Sequence, residues 1–366
     1  MAAATAPVTG TGRGTGRGGG RRRRSLNPAD LRRSFTITFV LVVVLAAFLS
    51  PLLRSAVVSL KTPDQLSETD SPFLPSLPQR FERDGKQYDV YVVPLPEGDR
   101  TLALVKPGRQ QSDFIDPAKP DAGTITWEGS WRTLPRAWTL SPAFQNYADV
   151  WDLIDFPRLL FNTAAIAVLS TIGAVTSGIV VAYGFARFRF PFKNVLFIVL
   201  IATIILPVQV TLVPLYVIFT RIGWNGTWLP LIVPAFFANA YNVFLLRQYF
   251  MSLPRDLDEA AMIDGASPFR VLRSIIVPQS VPAIVAVSLF HFFFAWNDFF
   301  LPLLYLGSKP ELQPLSVGIQ QYNALYSTQP TLIQATALMT MAVPVVVFFL
   351  AQRAFMRGVV VTGVDK

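Results

Sequence analysis

The chain has 366 residues, 52% of them hydrophobic and only 15% charged, and the apolar residues are gathered into blocks long enough to cross a bilayer. With no cysteine and one histidine, His291, it has no means of building a disulfide framework, a thiolate metal site or a two-histidine centre. The net charge of +9 is uneven: residues 61–157 hold 10 Lys+Arg against 15 Asp+Glu, so the positive excess lies elsewhere.

Residues 1–34 are rich in Gly and Arg, with Arg13, Arg17, Arg21, Arg22, Arg23, Arg24, Arg32 and Arg33 ahead of the first apolar block. Cations near a span favour the cytoplasmic side, so this segment is expected to be a disordered cytoplasmic tail; RNA binding by a Gly/Arg tail is the competing reading. About six blocks reach the roughly 20 apolar residues that cross a hydrocarbon core, at 35–60, 159–181, 195–219, 228–249, 281–306 and 331–354. Residues 35–49 also fit the apolar region of a signal peptide. The block continues past Pro51 to residue 60 with no clear cleavage site, which favours a retained span.

Residues 61–157 form a hydrophilic insert. Segments 88–93 and 101–106 alternate with period two around the Pro/Gly/Asp-containing stretch 94–99, which predicts an antiparallel hairpin, and a third strand is expected around 126–133. Pro-rich linkers at 62–78 and 116–120 flank these strands. The expectation is a small β-rich extracytoplasmic insert, acting either as a spacer packed on the membrane domain or as a docking surface for an external partner.

Charge then sets the topology. Loop 182–194 carries Arg187, Arg189 and Lys193, and loop 247–280 carries Arg247, Arg255, Arg270 and Arg273, whereas 220–227 and 307–330 hold little beyond Arg221 and Lys309. The predicted fold is an all-α polytopic membrane protein with about six transmembrane helices, its core at 158–354. Both termini, including the tail 355–366 with Arg357 and Lys366, are expected in the cytoplasm.

The loop 252–278 has the punctuation of two short helices. Pro254 is expected in a first turn, followed by Asp256, Asp258 and Glu259, whose charges complement the positive end of a helix dipole. Gly265 stops the first helix and Ser267-Pro268 starts the second. The second helix is expected to turn Phe269, Leu272, Ile275 and Ile276 to one side and to end at Pro278.

Glu259-Ala260-Ala261, three residues, Gly265, nine residues and Ile275-Ile276-Val277-Pro278 resemble the E-A-A-x₃-G-x₉-I-x-L-P loop of permease subunits of binding-protein-dependent ABC importers. Val277 in place of leucine is the one departure. Gln352–Gly358 with Thr362–Lys366, Phe144–Tyr147, Asn162 and Trp296-Asn297-Asp298 are similar to the maltose-type carbohydrate family. The resemblance covers residue 140 to the end plus the first span, and leaves out the insert and the Arg-rich tail. It implies a permease subunit for a sugar or oligosaccharide, working with a homologous second permease subunit, an ABC ATPase dimer and an extracytoplasmic solute-binding protein. It also implies that Glu259, Ala260, Ala261, Asp264, Gly265, Ala266 and Pro278 couple to the ATPase, with Gln352, Arg353, Gly358 and Gly363 of the tail in contact with it. ATP and Mg would sit on the ATPase subunits, because this sequence has no G-x-x-x-x-G-K-[ST] loop, and no cofactor is expected on this chain.

Polar residues inside spans are costly and mark either helix contacts or a pathway. The pathway candidates are Gln209, Asn239, Asn242, Trp296, Asn297 and Asp298, with His291 beside them and Tyr241 and Phe293 as aromatic neighbours. A secondary transporter or channel, supported only by the one deep carboxylate Asp298, and a membrane-anchored interaction protein built around the insert are the alternatives. No nucleophile–base or metal constellation points to an enzyme, and no nucleic-acid partner is expected.

Overall fold

The computed structural model describes residues 28–325 and 329–360. The chain divides into two units, residues 1–53 and 54–366. In the first unit the described chain is one helix, the N-terminal part of α1 (Pro28–Ser59), with Pro51 inside it. The Arg-rich residues before 28, and Gly363 in the tail, lie outside the described residues.

In the second unit, the end of α1 leads into α2 (Pro63–Ser67), whose Thr62 cap accepts the Gln65 backbone N–H. The stretch read as a Pro-rich linker is ordered by Gln65. Its Nε2 donates to the Pro72 and Leu74 carbonyls at 3.2 and 2.8 Å, and its Oε1 accepts from the Ser76 N–H at 3.0 Å. Strands β1 (Ser76–Pro78), β2 (Arg80–Arg83), β3 (Lys86–Leu95), β4 (Gly98–Lys106), β5 (Gln111–Ile115), β6 (Ile125–Glu128) and β7 (Trp138–Leu140) follow. Strands β2 to β6 form an antiparallel meander in chain order, and β1 pairs with β7 to close the insert.

The expected hairpin is β3–β4, with Leu95 opposite Gly98, so the strands run further into the Pro/Gly stretch than the composition suggests. The third expected strand is β6, shorter than anticipated because residues 131–133 turn into a 3₁₀ helix. Strand β5, absent from the sequence reading, has only five residues and is held by its pairing to β4 and β6. One face of the sheet buries Tyr91, Val93, Leu102 and Phe114 with Leu134; the other buries Val90 and Ala103 with Ala137. A β-rich insert with two covered faces is what alternation on both sides of a turn requires.

The helical part contains α3 (Gln145–Leu153), α4 (Phe156–Arg187), α5 (Lys193–Ile205), α6 (Val208–Arg221), α7 (Leu229–Ile232), α8 (Ala240–Ser252), α9 (Asp256–Ile263), α10 (Pro268–Val271), α11 (Val277–Gln279), α12 (Val281–Asn297), α13 (Phe300–Leu306), α14 (Leu315–Leu325) and α15 (Pro330–Val360). Helix α4 packs against both α8 and α12, and α15 packs against α12 and α3. Small residues let α4 take this position: Ala167, Ser170, Gly173, Ala174, Gly178, Ala182 and Ala186 are all buried on it. A Cβ at Gly173 would lie 2.4 Å from the Phe236 ring, so no side chain fits there without repacking.

Two asparagines tie segments together. Asn146 Nδ2 donates to the Ser59 and Lys61 carbonyls at 2.7 and 2.9 Å, and Asn162 Nδ2 donates to the Glu311 and Gln313 carbonyls, both at 2.9 Å. These residues of the family-like segments therefore serve as fasteners for irregular backbone.

Among the described residues, four helices alone are long and apolar enough to span a membrane: Arg32–Ser59, Phe156–Arg187, Leu229–Ser252 and Pro330–Arg353. Two bent pairs bring the number to six, Lys193–Ile205 with Gln209–Arg221 at 97° and Pro268–Gln279 with Val281–Trp296 at 81°. The span expected at 195–219 is thus broken, at Leu206-Pro207, where proline has no N–H to continue the helix. The block 281–306 is likewise divided, α12 stopping at Asn297 and α13 beginning at Phe300.

Candidate functional site

The stretch 252–278 folds as the expected elbow. Helix α9 carries Asp256, Asp258 and Glu259 in its first turn; Pro254 stands just outside it, before Arg255 at the N-cap. The helix ends in a Schellman motif: the Gly265 N–H donates to the Met262 carbonyl at 3.0 Å and the Ala266 N–H to the Ala261 carbonyl at 2.9 Å. Gly265 has φ +81°, a conformation that glycine adopts without steric cost. Ser267 then caps α10, its Oγ accepting from the Arg270 N–H at 3.4 Å, with Pro268 at the first helical position.

Two expectations for the second helix change. Residues 272–276 form a π turn in which the Val277 N–H reaches the Leu272 carbonyl, so the helix passes Pro278 and bends after Gln279. The buried side is Val271, Leu272 and Ile276, packed with Ala182, Tyr183, Val243, Leu246, Phe250 and Val287, whereas Phe269 is 69% exposed. The wider turn shifts the face that a regular 3.6-residue repeat assigns.

The elbow is fastened to the end of α4. Arg187 Nε lies 2.8 Å from Asp258 Oδ2, both side chains being 6% exposed, and Arg187 Nη2 donates to the Leu253 carbonyl at 3.2 Å. The Tyr183 hydroxyl donates to the Pro268 carbonyl at 3.2 Å. Asp258 Oδ1 is buried without a hydrogen-bond partner, and burial raises the Asp258 pKa against the lowering effect of the Arg187 and Arg255 charges. On the outer side Glu259, Ala260, Asp264 and Gly265 are exposed, together with Met262, Ile263 and Phe269. Ile263, 86% exposed, is the most exposed of these three large apolar side chains.

A cavity of about 240 Å³ lies between α4, the α7–α8 region, α12 and α13. Ser170, Asn239, His291 and Asp298 supply its polar groups, and Phe237 and Phe294 lie among its apolar walls. Two interruptions in the helices meet there, at 237–239 and at 298–299. Asn239 Oδ1 accepts the Tyr241 and Asn242 N–H groups at 2.9 and 3.3 Å, capping α8, and Asp298 Oδ1 accepts the Leu301 N–H at 3.3 Å. Irregular backbone at membrane depth is tolerated where it is buried in protein or lines a cavity.

Residues 174–361 match the family described as "Binding-protein-dependent transport system inner membrane component". The chain belongs to this family. The permease is 34% identical over 222 residues to the osmoprotective compounds uptake permease protein GgtD of Synechocystis sp., covering 60% of this chain and 74% of that one. It is 30% identical over 241 residues to the alpha-glucoside transport system permease protein AglG of Rhizobium meliloti, covering 63% and 62%. In fold it is similar to a chain of a bacterial ABC transporter involved in the import of the acidic polysaccharide alginate, with a TM-score of 0.63 and 17% identity over 90% of this permease and 98% of that chain.

Of the residues singled out in the permease sequence, Glu259 through Ala266 come together on the elbow, with Pro278 exposed on α11 beyond the π turn. Gln352, Arg353 and Gly358 lie on α15. Among the pathway candidates, Asn239 and Asp298 line the cavity with His291. The others do not line it: Trp296 is buried with its ring 5.5 Å from that of Phe292, Asn242 is buried beside Gly178, Asn297 donates to the Phe293 carbonyl at 2.8 Å, and Gln209 is exposed on α6. Absent from the site read in the sequence are Arg187 and Ser170. In the sequence Arg187 reads only as one more cation of an inside loop; its partner Asp258 is remote in sequence, and no local pattern joins them.

Proposed function

We propose that this permease subunit belongs to an ATP-driven importer of a carbohydrate, a sugar or oligosaccharide, and that the elbow 252–278 receives force from a separate ATPase. The observation that carries this reading is the elbow itself. One side of it is fastened to α4 by a buried ion pair, and the other offers Glu259, Met262, Ile263 and Phe269 uncovered. Large apolar side chains at a membrane protein's aqueous face are suited to a docking protein. Because the elbow holds α4 through Arg187 and Tyr183 and continues through α11 into α12, its displacement acts on two of the helices that border the cavity.

In this reading the elbow and both termini face the cytoplasm, in accord with the cations of loops 182–194 and 247–280. The insert faces the other side, where a solute-binding protein delivers substrate. A homologous second permease subunit completes the pathway, with Asn239 and Asp298 as polar contacts on this chain's share of it. ATP and Mg belong to the ATPase pair. Carbohydrate as the substrate class is supported by the alpha-glucoside permease among the relatives; the osmoprotectant permease favours a different small solute as the second reading.

Ile263→Arg tests the coupling. The side chain is exposed, so the variant is expected to insert and fold normally, yet to lose co-purification with the ATPase and to lower uptake at least about tenfold, the factor that roughly 1.4 kcal/mol of lost docking energy produces. Uptake and ATPase retention equal to wild type would overturn this role for the elbow. Uptake of a labelled alpha-glucoside against a labelled osmoprotectant by the assembled complex decides between the two substrate readings.

A further inference from the structure

The turn between α4 and α5 reads Arg187-Phe188-Arg189-Phe190-Pro191-Phe192-Lys193, cations alternating with aromatics. Arg187 is used by the elbow. The remaining cations converge with two from other elements: Lys193 Nζ donates to the Phe188 carbonyl at 2.8 Å, and Arg247 Nε, on α8, donates to the Phe185 carbonyl at 3.3 Å. Arg255 lines a small cleft with Phe188, the residue whose carbonyl accepts from Lys193, and Arg189 follows Phe188 in the chain, so both charges lie near the Lys193 ammonium. Among the described residues, none of these four has a carboxylate within ion-pair distance.

Capping the end of α4 accounts for part of this arrangement, since cations favour the negative end of a helix dipole. It does not use the whole cluster. An ammonium has three donors and a guanidinium five, and the two carbonyl bonds engage one donor of each. Arg255 has the carboxylates of Asp258 and Glu259 across a small cleft, whereas Arg189, Lys193 and Arg247 have none at hand, and like charges brought together repel one another unless an anion joins them.

The aromatics indicate the medium that anion comes from. The Arg247 guanidinium lies 4.0 Å over the Phe197 ring, Phe197 touches Phe185, and Phe185 touches Phe190, with ring centroids 5.4 and 5.6 Å apart. Phe188, Phe190 and Phe192 remain exposed, Phe192 at 77% and with φ +58°. A phenylalanine held in the left-handed region and turned outward is a strained arrangement for a side chain with nothing to bury it. A bilayer surface supplies both missing partners, a phosphate for the cations and acyl chains for the rings.

We propose that Arg189, Lys193, Arg247 and Arg255 form a binding site for the phosphate of an anionic phospholipid, with Phe190 and Phe192 inserted among its acyl chains. Arg255 is also the N-cap of α9 and borders the small cleft that contains Asp258 and Glu259, so the bound lipid adjoins the elbow.

The test is native mass spectrometry of the full chain in detergent with equal amounts of phosphatidylglycerol and phosphatidylcholine. Wild type should retain phosphatidylglycerol selectively, and each of Arg189→Gln and Lys193→Gln should weaken retention by roughly fivefold, the factor carried by one cation near a membrane surface. Lys193→Arg should restore it, and Arg221→Gln, removing a cation at the end of α6, should leave it unchanged. Equal retention of the two lipids by wild type would overturn the proposal. So would loss of phosphatidylglycerol on addition of millimolar inorganic phosphate, because the cluster would then be a site for free anions rather than for lipid.

Discussion

Replacing Arg187 with methionine removes the cation that holds the elbow and leaves Asp258 as a buried carboxylate, one oxygen of which is already without a hydrogen-bond partner. Breaking one side of a buried ion pair costs about 3–5 kcal/mol, since the remaining charge stays desolvated. The cost here should fall near the lower end, about 3 kcal/mol, because burial already shifts Asp258 toward its neutral form, which lessens the penalty of leaving it unpaired. The Leu253 carbonyl loses its donor as well. The double variant Arg187→Met with Asp258→Leu fills the same space with apolar atoms and should recover most of this loss, buried pairs replaced by well-packed hydrophobes being neutral or even stabilising. Chemical or thermal unfolding of the detergent-solubilised chain measures the stability term, and uptake per ATP hydrolysed by the assembled transporter measures the coupling. The single variant should fail both tests, and the double variant should regain stability. If Arg187→Met alone unfolds within about 0.5 kcal/mol of wild type, the ion pair does not hold the elbow and the reasoning is wrong.

Acidification probes the same contact. Because its folded-state pKa is raised, the Asp258 contribution to stability is fully present below the ordinary aspartate range and is lost as the pH rises through the raised value. The ion pair has the opposite dependence and forms only above that value, so uptake should decline on acidification while the pH is still above 3.8, and Asp258→Asn should lack this step in a pH profile of uptake. Asn162→Leu removes two hydrogen bonds to the Glu311 and Gln313 carbonyls; at about 1 kcal/mol per bond it should lower stability by about 2 kcal/mol and speed protease cleavage near residues 307–314, whereas unaltered cleavage would count against a fastening role.

Much of this architecture was legible in the sequence wherever a local pattern carried it. The spans follow from blocks of apolar residues, and the β3–β4 hairpin from alternation on either side of a turn. The elbow follows from Gly265 and Ser267-Pro268, whose effects reach only a few residues along the chain. Strand β5 is too short to announce itself, and the stretch that composition marks as a Pro-rich linker is ordered by a single glutamine, Gln65, whose partners are 7 to 11 residues away.

Composition and period fixed the number of apolar segments, their order and the punctuation of the elbow, because hydrophobic transfer and helix capping act on each residue through its near neighbours. Only the tertiary structure decided that α4 ends on Asp258 of the elbow, that Phe269 faces outward while Val271 is buried, and that Asn239 and Asp298 share a cavity from which Trp296 and Asn242 are withdrawn. These depend on which distant surfaces meet, and a buried charge or amide takes its role from the partner that packing brings to it.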